Sequence, residues 1–167
     1  MKNIIAILPV FIKGRGICSQ IYYENQIVTD NRSCENFLKN LCDAKNISKR
    51  IMKRNVKELI KTKRNLPWLI DQNHVFFPVA YKKSEFKEER RAFINCNYVT
   101  DIEENDVILI TEERISTIQQ EESLKENLIS ANYLMYRLKY ENLKSFIIGD
   151  GIGFKANILQ KTGQNFL

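Results

Sequence analysis

Residues 48 to 64, SKRIMKRNVKELIKTKR, hold eight Lys or Arg in seventeen positions. Cations at that density do binding rather than bond-making chemistry, because Lys and Arg on one surface neutralise phosphates and release their counterions. On a helix advancing about 100° per residue, Met52, Val56, Leu59 and Ile60 share one arc, and Arg50, Lys53, Arg54, Lys57, Lys61 and Arg64 fill the neighbouring one. Like charges at this spacing repel, and Glu58 alone offers relief within the run. An anion on this face would turn the repulsion into attraction. Nucleic acid is the obvious polyanion. A solvated basic face without a ligand, an acidic membrane surface and an acidic protein compete with it, since charge alone does not choose.

No constellation for catalysis competes. His74 lies in an apolar, strand-like run beside Phe76 and Phe77 and reads as a structural residue of a hairpin. The paired acids Glu103-Glu104, Glu112-Glu113 and Glu121-Glu122 fall in turns or at a helix start, where solvation or the helix dipole accounts for them. No nucleophile, base and orienting group can be named together, so the chain is not expected to be an enzyme. Gly149-x-Gly151-x-Gly153 lacks the Lys-Ser/Thr of a phosphate loop and the spacing of a dinucleotide fingerprint, and reads as a hairpin turn. No cofactor is expected. With one His and four cysteines lacking C-x-x-C spacing, neither is a metal site.

The charge is a patch. Lys45 to Arg64 carries nine bases and one acid, which leaves the rest of this 167-residue chain at −2 out of a total of +6. Downstream, Asp101 to Glu126 holds nine acids against Arg114 and Lys125. Such polarity suits a protein that meets a polyanion on one side and repels it on another. Cys18, Cys34, Cys42 and Cys96 read as buried free thiols of a reducing compartment. The apolar run Ile4 to Ile12 is short, contains Pro9 and ends at Lys13-Gly14-Arg15-Gly16, so neither a signal peptide nor a membrane span is expected.

The elements that must position the basic run follow from periodicity. Asn3–Ile12 and Ile17–Tyr23 read as strands around the Gly14-x-Gly16 break, with a short third at Gln26–Thr29. A helix is expected from about Ser33 to Asp43, and the basic helix over 48 to 61 from a Ser48 cap, with Asn65 and Pro67 ending the element. Leu66–Ile70 and His74–Val79 make a hairpin, Lys82–Arg91 a charged loop and Ala92–Val99 a strand. Val107–Ile110 and Ile115–Ile118 make a second hairpin. Leu124, Leu128, Ala131, Met135 and Leu138 mark an amphipathic helix over 121–140, whose apolar stripe serves either the core or a dimer seam. The fold class is α+β: an antiparallel sheet built from hairpins with two or three helices packed on it.

Several segments, in order over residues 4 to 140, resemble the competence transcription factor (ComK) family. Ile4–Pro9 followed by Ile17–Ile21 resembles its opening strands, and Arg32-Ser33-Cys34 with Phe37 resembles its Arg-Ser-Cys-x-x-Phe helix start. Ser48-Lys49-Arg50 takes the place of its Ser-x-x-Gly-Arg stretch. Pro67–Asp71 and then Val75–Pro78 are similar to its Pro-Pro-Ile-x-Ile segment and Phe-Pro-Thr motif. The chain departs from the family at Lys49, where Gly is usual, and at Val79, where Thr is.

The resemblance implies an activator of DNA-uptake genes that binds double-stranded, A/T-rich promoter sites through the minor groove. It implies also a homo-oligomer and recognition by an adaptor that delivers the protein to a protease. Residues 1–142 would form the DNA-binding domain, in the cytoplasm and associated with the nucleoid, whereas 143–167 match no part of the family and read, from the Gly149–Gly153 turn, as a C-terminal extension that could add a hairpin to the same domain. Narrow A/T-rich minor grooves concentrate negative potential and attract Arg. On this reading Lys53, Lys57 and Lys61 contact phosphates and Arg50, Arg54 and Arg64 supply groove insertion, with Asn55 and Asn65 flanking them. Arg32, beside a helix cap, is a secondary contact. Two other classes stay open: a non-enzymatic interaction module using the acidic 101–126 region, and a metal-dependent nuclease whose carboxylates the fold would assemble.

Overall fold

Gly14 and Gly16 take φ of +81° and +82°, a left-handed conformation that costs a glycine little, and between them the chain reverses. The reversal pairs β1 (Ile4–Ile12) with β2 (Gly16–Tyr23), and β3 (Ile27–Asp30) pairs with β2 in turn. The computed structural model of the protein describes residues 3–62, 64–81, 86 and 90–148, with 143–148 described as helix backbone only.

Two helices follow. α1 (Cys34–Ala44) starts at Ser33, whose hydroxyl accepts the Asn36 N–H, and α2 (Lys49–Ile60) starts at Ser48, whose hydroxyl accepts the Ile51 N–H. A second meander then runs through β4 (Trp68–Asp71), β5 (His74–Tyr81) and β6 (Arg90–Asn95). β6 lies antiparallel to β1, with Ala6 opposite Ile94 and Ile7 opposite Phe93. The result is one six-stranded sheet in the order β3-β2-β1-β6-β5-β4. The expected α+β class with an antiparallel hairpin-built sheet is therefore what the chain adopts.

The expected strand Ala92–Val99 is in fact two strands with a tight turn between them. Asn95 is the reason. Its side-chain N–H groups donate to the carbonyls of Ile4 (2.8 Å) and Asn73 (2.9 Å), and its oxygen accepts the Asn97 N–H at 3.2 Å. That fully buried amide joins β1, β6 and the β4–β5 turn and bends the chain into a 3-10 turn at Cys96–Tyr98. From there β7 (Val99–Glu103), β8 (Asp106–Leu109) and β9 (Arg114–Ser116) form a separate three-stranded sheet. β8 and β9 are the expected second hairpin, with Val107 opposite Ile115.

α3 (Glu121–Ile148) packs along β5 and β4. It continues through the expected domain boundary at 142/143, so the beginning of the expected extension is helix. Its Leu124 and Met135 are buried, and Leu128 and Leu138 are packed against the core, so the stripe serves the core and is not free as a seam. The Gly149–Gly153 turn, the rest of the extension and most of the Lys82–Arg91 loop lie outside the described residues. Of that loop, Arg90 and Arg91 are the first residues of β6.

Successive strand residues point to opposite faces. Phe76 and Phe77 are both fully buried, so β5 is covered on both sides. Pairing of Trp68 with Phe76 and of Pro78 with Phe93 puts these four on one face, and alternation along β6 adds Arg91 to it.

All four cysteines are free and buried. Burial pushes the Cys34 and Cys96 thiols up to about 12 and that of Cys42 to about 11, which makes them inert packing groups.

Candidate nucleic-acid interface

α2 is seated by Met52 and Val56, both without solvent exposure. Met52 Sδ accepts the backbone N–H of Leu69 at 3.2 Å, which ties the helix to β4. The opposite side of α2 carries Arg50, Arg54 and Lys57, all exposed. Their spacing of four and three residues lines them up along the helix. Lys61, four residues further on, continues the row.

Among the described residues none of these four cations forms an ion pair with a carboxylate. The row keeps its like-charge repulsion and is open to solvent.

The helix ends where expected, at Ile60 with Lys61 as its C-cap in the left-handed conformation at φ 52°. Two expectations about the run are corrected. Arg64 therefore lies beyond the helix, in a bend whose N–H is held at 3.5 Å by the Thr62 hydroxyl. Asn55, expected beside the ridge, is only 5 % exposed, since it shares the inner side of the helix with Met52 and Val56.

Lys53 departs from the outer row as well. Its ammonium lies 5.1 Å from the centre of the Trp68 ring, next to that of Lys49 at 4.8 Å. Lys49 also reaches Glu35 of α1 at 3.5 Å. Partial burial, with the positive charges of Lys49 and Arg91 close by, lowers the Lys53 pKa against the opposing pull of Glu35. Lys53 and Arg64 line a cleft of about 350 Å³ beside the ridge, together with Arg91, Glu35 and Asn65.

Arg32, the secondary contact, is engaged by its own chain. Its guanidinium donates twice to Asp30, at 2.8 and 2.6 Å, and sits 5.2 Å from the Phe37 ring centre. The Arg32 side-chain hydrogen bond holds the Asp30 carboxyl below its usual range and raises the pKa of Arg32 in return. This pair sits at the entry to α1, whose N-cap is the next residue, Ser33.

The acidic region lies on elements other than the ridge helix. Asp101, Glu103, Glu104, Asp106, Glu112 and Glu113 belong to the three-stranded sheet and its turns, and Glu121 and Glu122 open α3. Their described ion pairs are internal: Arg114 with Glu103 at 2.8 Å and with Asp106 at 3.9 Å, and Lys125 with Glu121.

His74, expected as a structural residue of the hairpin, is 3 % exposed, with Nδ1 2.8 Å from Asp71 Oδ1. Asp71 also accepts the Asn73 N–H and lies 3.5 Å from Lys45. Among the described residues no group of three His, Cys, Asp or Glu side chains is arranged to hold a metal ion, and no helix is long and apolar enough to cross a membrane.

No protein-family model matches the chain, and no curated protein or solved structure matches it either.

Proposed function

We propose that the chain is a non-enzymatic, double-stranded DNA-binding protein that works through the exposed face of α2. The observation that carries this reading is the row Arg50, Arg54, Lys57 and Lys61, aligned and free of intrachain carboxylates among the described residues. Its length is about 16 Å from Arg50 to Lys61 at 1.5 Å per residue, comparable with the spacing over which a duplex presents several phosphates. The acidic three-stranded sheet repels the same polyanion and so favours one orientation of approach.

The finer reading draws on the resemblance to competence transcription factors, whose motif segments Arg32–Phe37 and Ser48–Arg50 in this chain form the caps and first turns of α1 and α2. On that reading the protein is an activator of DNA-uptake genes, associated with the nucleoid. It acts as an oligomer on A/T-rich sites and is turned over through a protease adaptor. Arg50 and Arg54 are then the groove-facing residues, and Lys57 and Lys61 contact phosphates.

The test is binding of the protein to A/T-rich and G/C-rich duplexes of equal length, followed by fluorescence anisotropy. Preference for A/T sequences supports the minor-groove reading, since that groove separates A·T from G·C and little more. Equal, tight binding to both would reduce the function to non-specific duplex binding. Indifference to DNA at moderate salt would favour an interaction module built on the acidic region.

A further inference from the structure

Lys53, Arg64 and Arg91 come from three different places, namely α2, the bend after it and strand β6, and converge on one cleft of about 350 Å³. Trp68 and Phe93, both buried, line its inner wall and meet edge to face at 6.2 Å. Among the described residues of the lining the one carboxylate, Glu35, is already engaged by Lys49. Among the described residues none of Lys53, Arg64 and Arg91 has an ion-pair partner. The cleft is therefore an excess of positive charge set against a low-dielectric wall, an arrangement that focuses potential outward and draws in an anion.

The chemistry of the lining narrows the anion. Because Trp68 and Phe93 are 2 % and 1 % exposed, neither ring face is open for stacking, and the exposed charges are the cations, beside the partly exposed Glu35, Asn65 and Leu66. Two guanidinium forks and an ammonium suit a compact oxyanion of high charge, with the forks matching paired oxygens and the Lys acting as a point charge.

We infer that this cleft is a phosphoryl-binding site, formed by Lys53, Arg64 and Arg91 and separate from the Arg50–Arg54–Lys57 row. The phosphoryl group belongs either to a small free phosphate compound or to a backbone phosphate of a nucleic acid. The site does not depend on the ridge's being a DNA surface.

The test uses sodium pyrophosphate as the probe on the full chain, by calorimetric titration and by thermal melting against sodium chloride of matched ionic strength. Pyrophosphate is expected to raise Tm above the chloride control. Arg64→Gln combined with Arg91→Gln should weaken pyrophosphate binding by more than about tenfold, as loss of charged hydrogen bonds implies. The ridge variant, with Arg50, Arg54 and Lys57 changed to Glu, should bind it as the parent does, apart from the weaker long-range field. Both replaced arginines are exposed, so the melting temperature of the unliganded double variant serves as the check on folding. Duplex binding by that variant then separates the sources: a loss identifies a backbone phosphate, and no loss a free phosphate compound. Stabilisation no greater than chloride gives, or equal binding by parent and double variant, overturns the inference.

Discussion

The Lys53 ammonium stands 5.1 Å from the centre of the Trp68 ring and shares that ring with Lys49. The basic run thereby divides into an inner pair packed on β4 and an outer row aimed at solvent. Unequal consequences follow for duplex binding. Lys49→Ala, removing a charge that Glu35 already offsets, should leave the slope of log K against log salt unchanged. Arg54→Ala should reduce the slope by about 0.9, the value for one phosphate contact. Salt titrations of the two variants measure this directly, and equal changes in both would erase the division.

Lys61 allows charge and stability to be separated. It caps α2 at φ 52°, a conformation that costs a side-chain-bearing residue about 1 kcal/mol relative to glycine. Lys61→Gly should therefore raise stability by up to about 1 kcal/mol while lowering duplex affinity and reducing the salt slope by about 0.9. Thermal melting and anisotropy on the same preparation check both signs. A variant that gains stability without losing affinity would take Lys61 out of the binding row.

Asp71 links the acid stability of the fold to one hydrogen-bonded group. Burial would raise its pKa, but hydrogen bonds from His74 and the Asn73 N–H, with the charges of His74 and Lys45, override it and hold the carboxyl well below 3.8. A group whose pKa is depressed by folding stabilises the protein above its unfolded value and loses that contribution as pH falls below it. Asp71→Asn should thus cost about 1–3 kcal/mol near neutral pH, with the gap between variant and parent closing as pH drops below about 4. Denaturant unfolding at a series of pH values reads the gap, and a constant difference would contradict this role.

Met52 fixes the ridge to the sheet. Met52→Ala opens space under α2 and removes the acceptor of the Leu69 N–H, so a loss of about 2–5 kcal/mol is expected. Met52→Leu, of similar volume, should cost less than about 1.5 kcal/mol. The comparison isolates packing from the sulfur contact.

What local sequence could express and what it could not is plain at particular residues. The Gly14-x-Gly16 break, the Ser33 and Ser48 caps and the separation of Met52 and Val56 from the cations are properties of short windows, and each appears where periodicity places it. The end of α2 near residue 61 is legible, but the left-handed cap is not, because Leu59 and Ile60 continue the helical period up to Lys61. Lys53 reads as outward-facing on a helical wheel, and only the docking of Trp68, fifteen positions later, turns it inward. Arg91 was hidden in a run of charges that reads as loop, and its place in the cleft depends on the pairing of β6 with β5. β7 escaped because Thr100, Asp101 and Glu103 make a polar strand, and because the role of Asn95 as a buried junction arises from contacts with Ile4 and Asn73 far along the chain.

On the proposed function, the outer row of α2 is the surface that grips DNA. The most direct test is the affinity of the parent and of the combined Arg50→Glu, Arg54→Glu and Lys57→Glu variant for an A/T-rich duplex across a salt series. If all four cations of the row meet phosphates, the parent slope is about −3.6. The variant, folded by circular dichroism and melting, should lose both the affinity and the slope. A folded variant that binds the duplex with the parent's affinity and slope would place the DNA-binding surface elsewhere on the molecule.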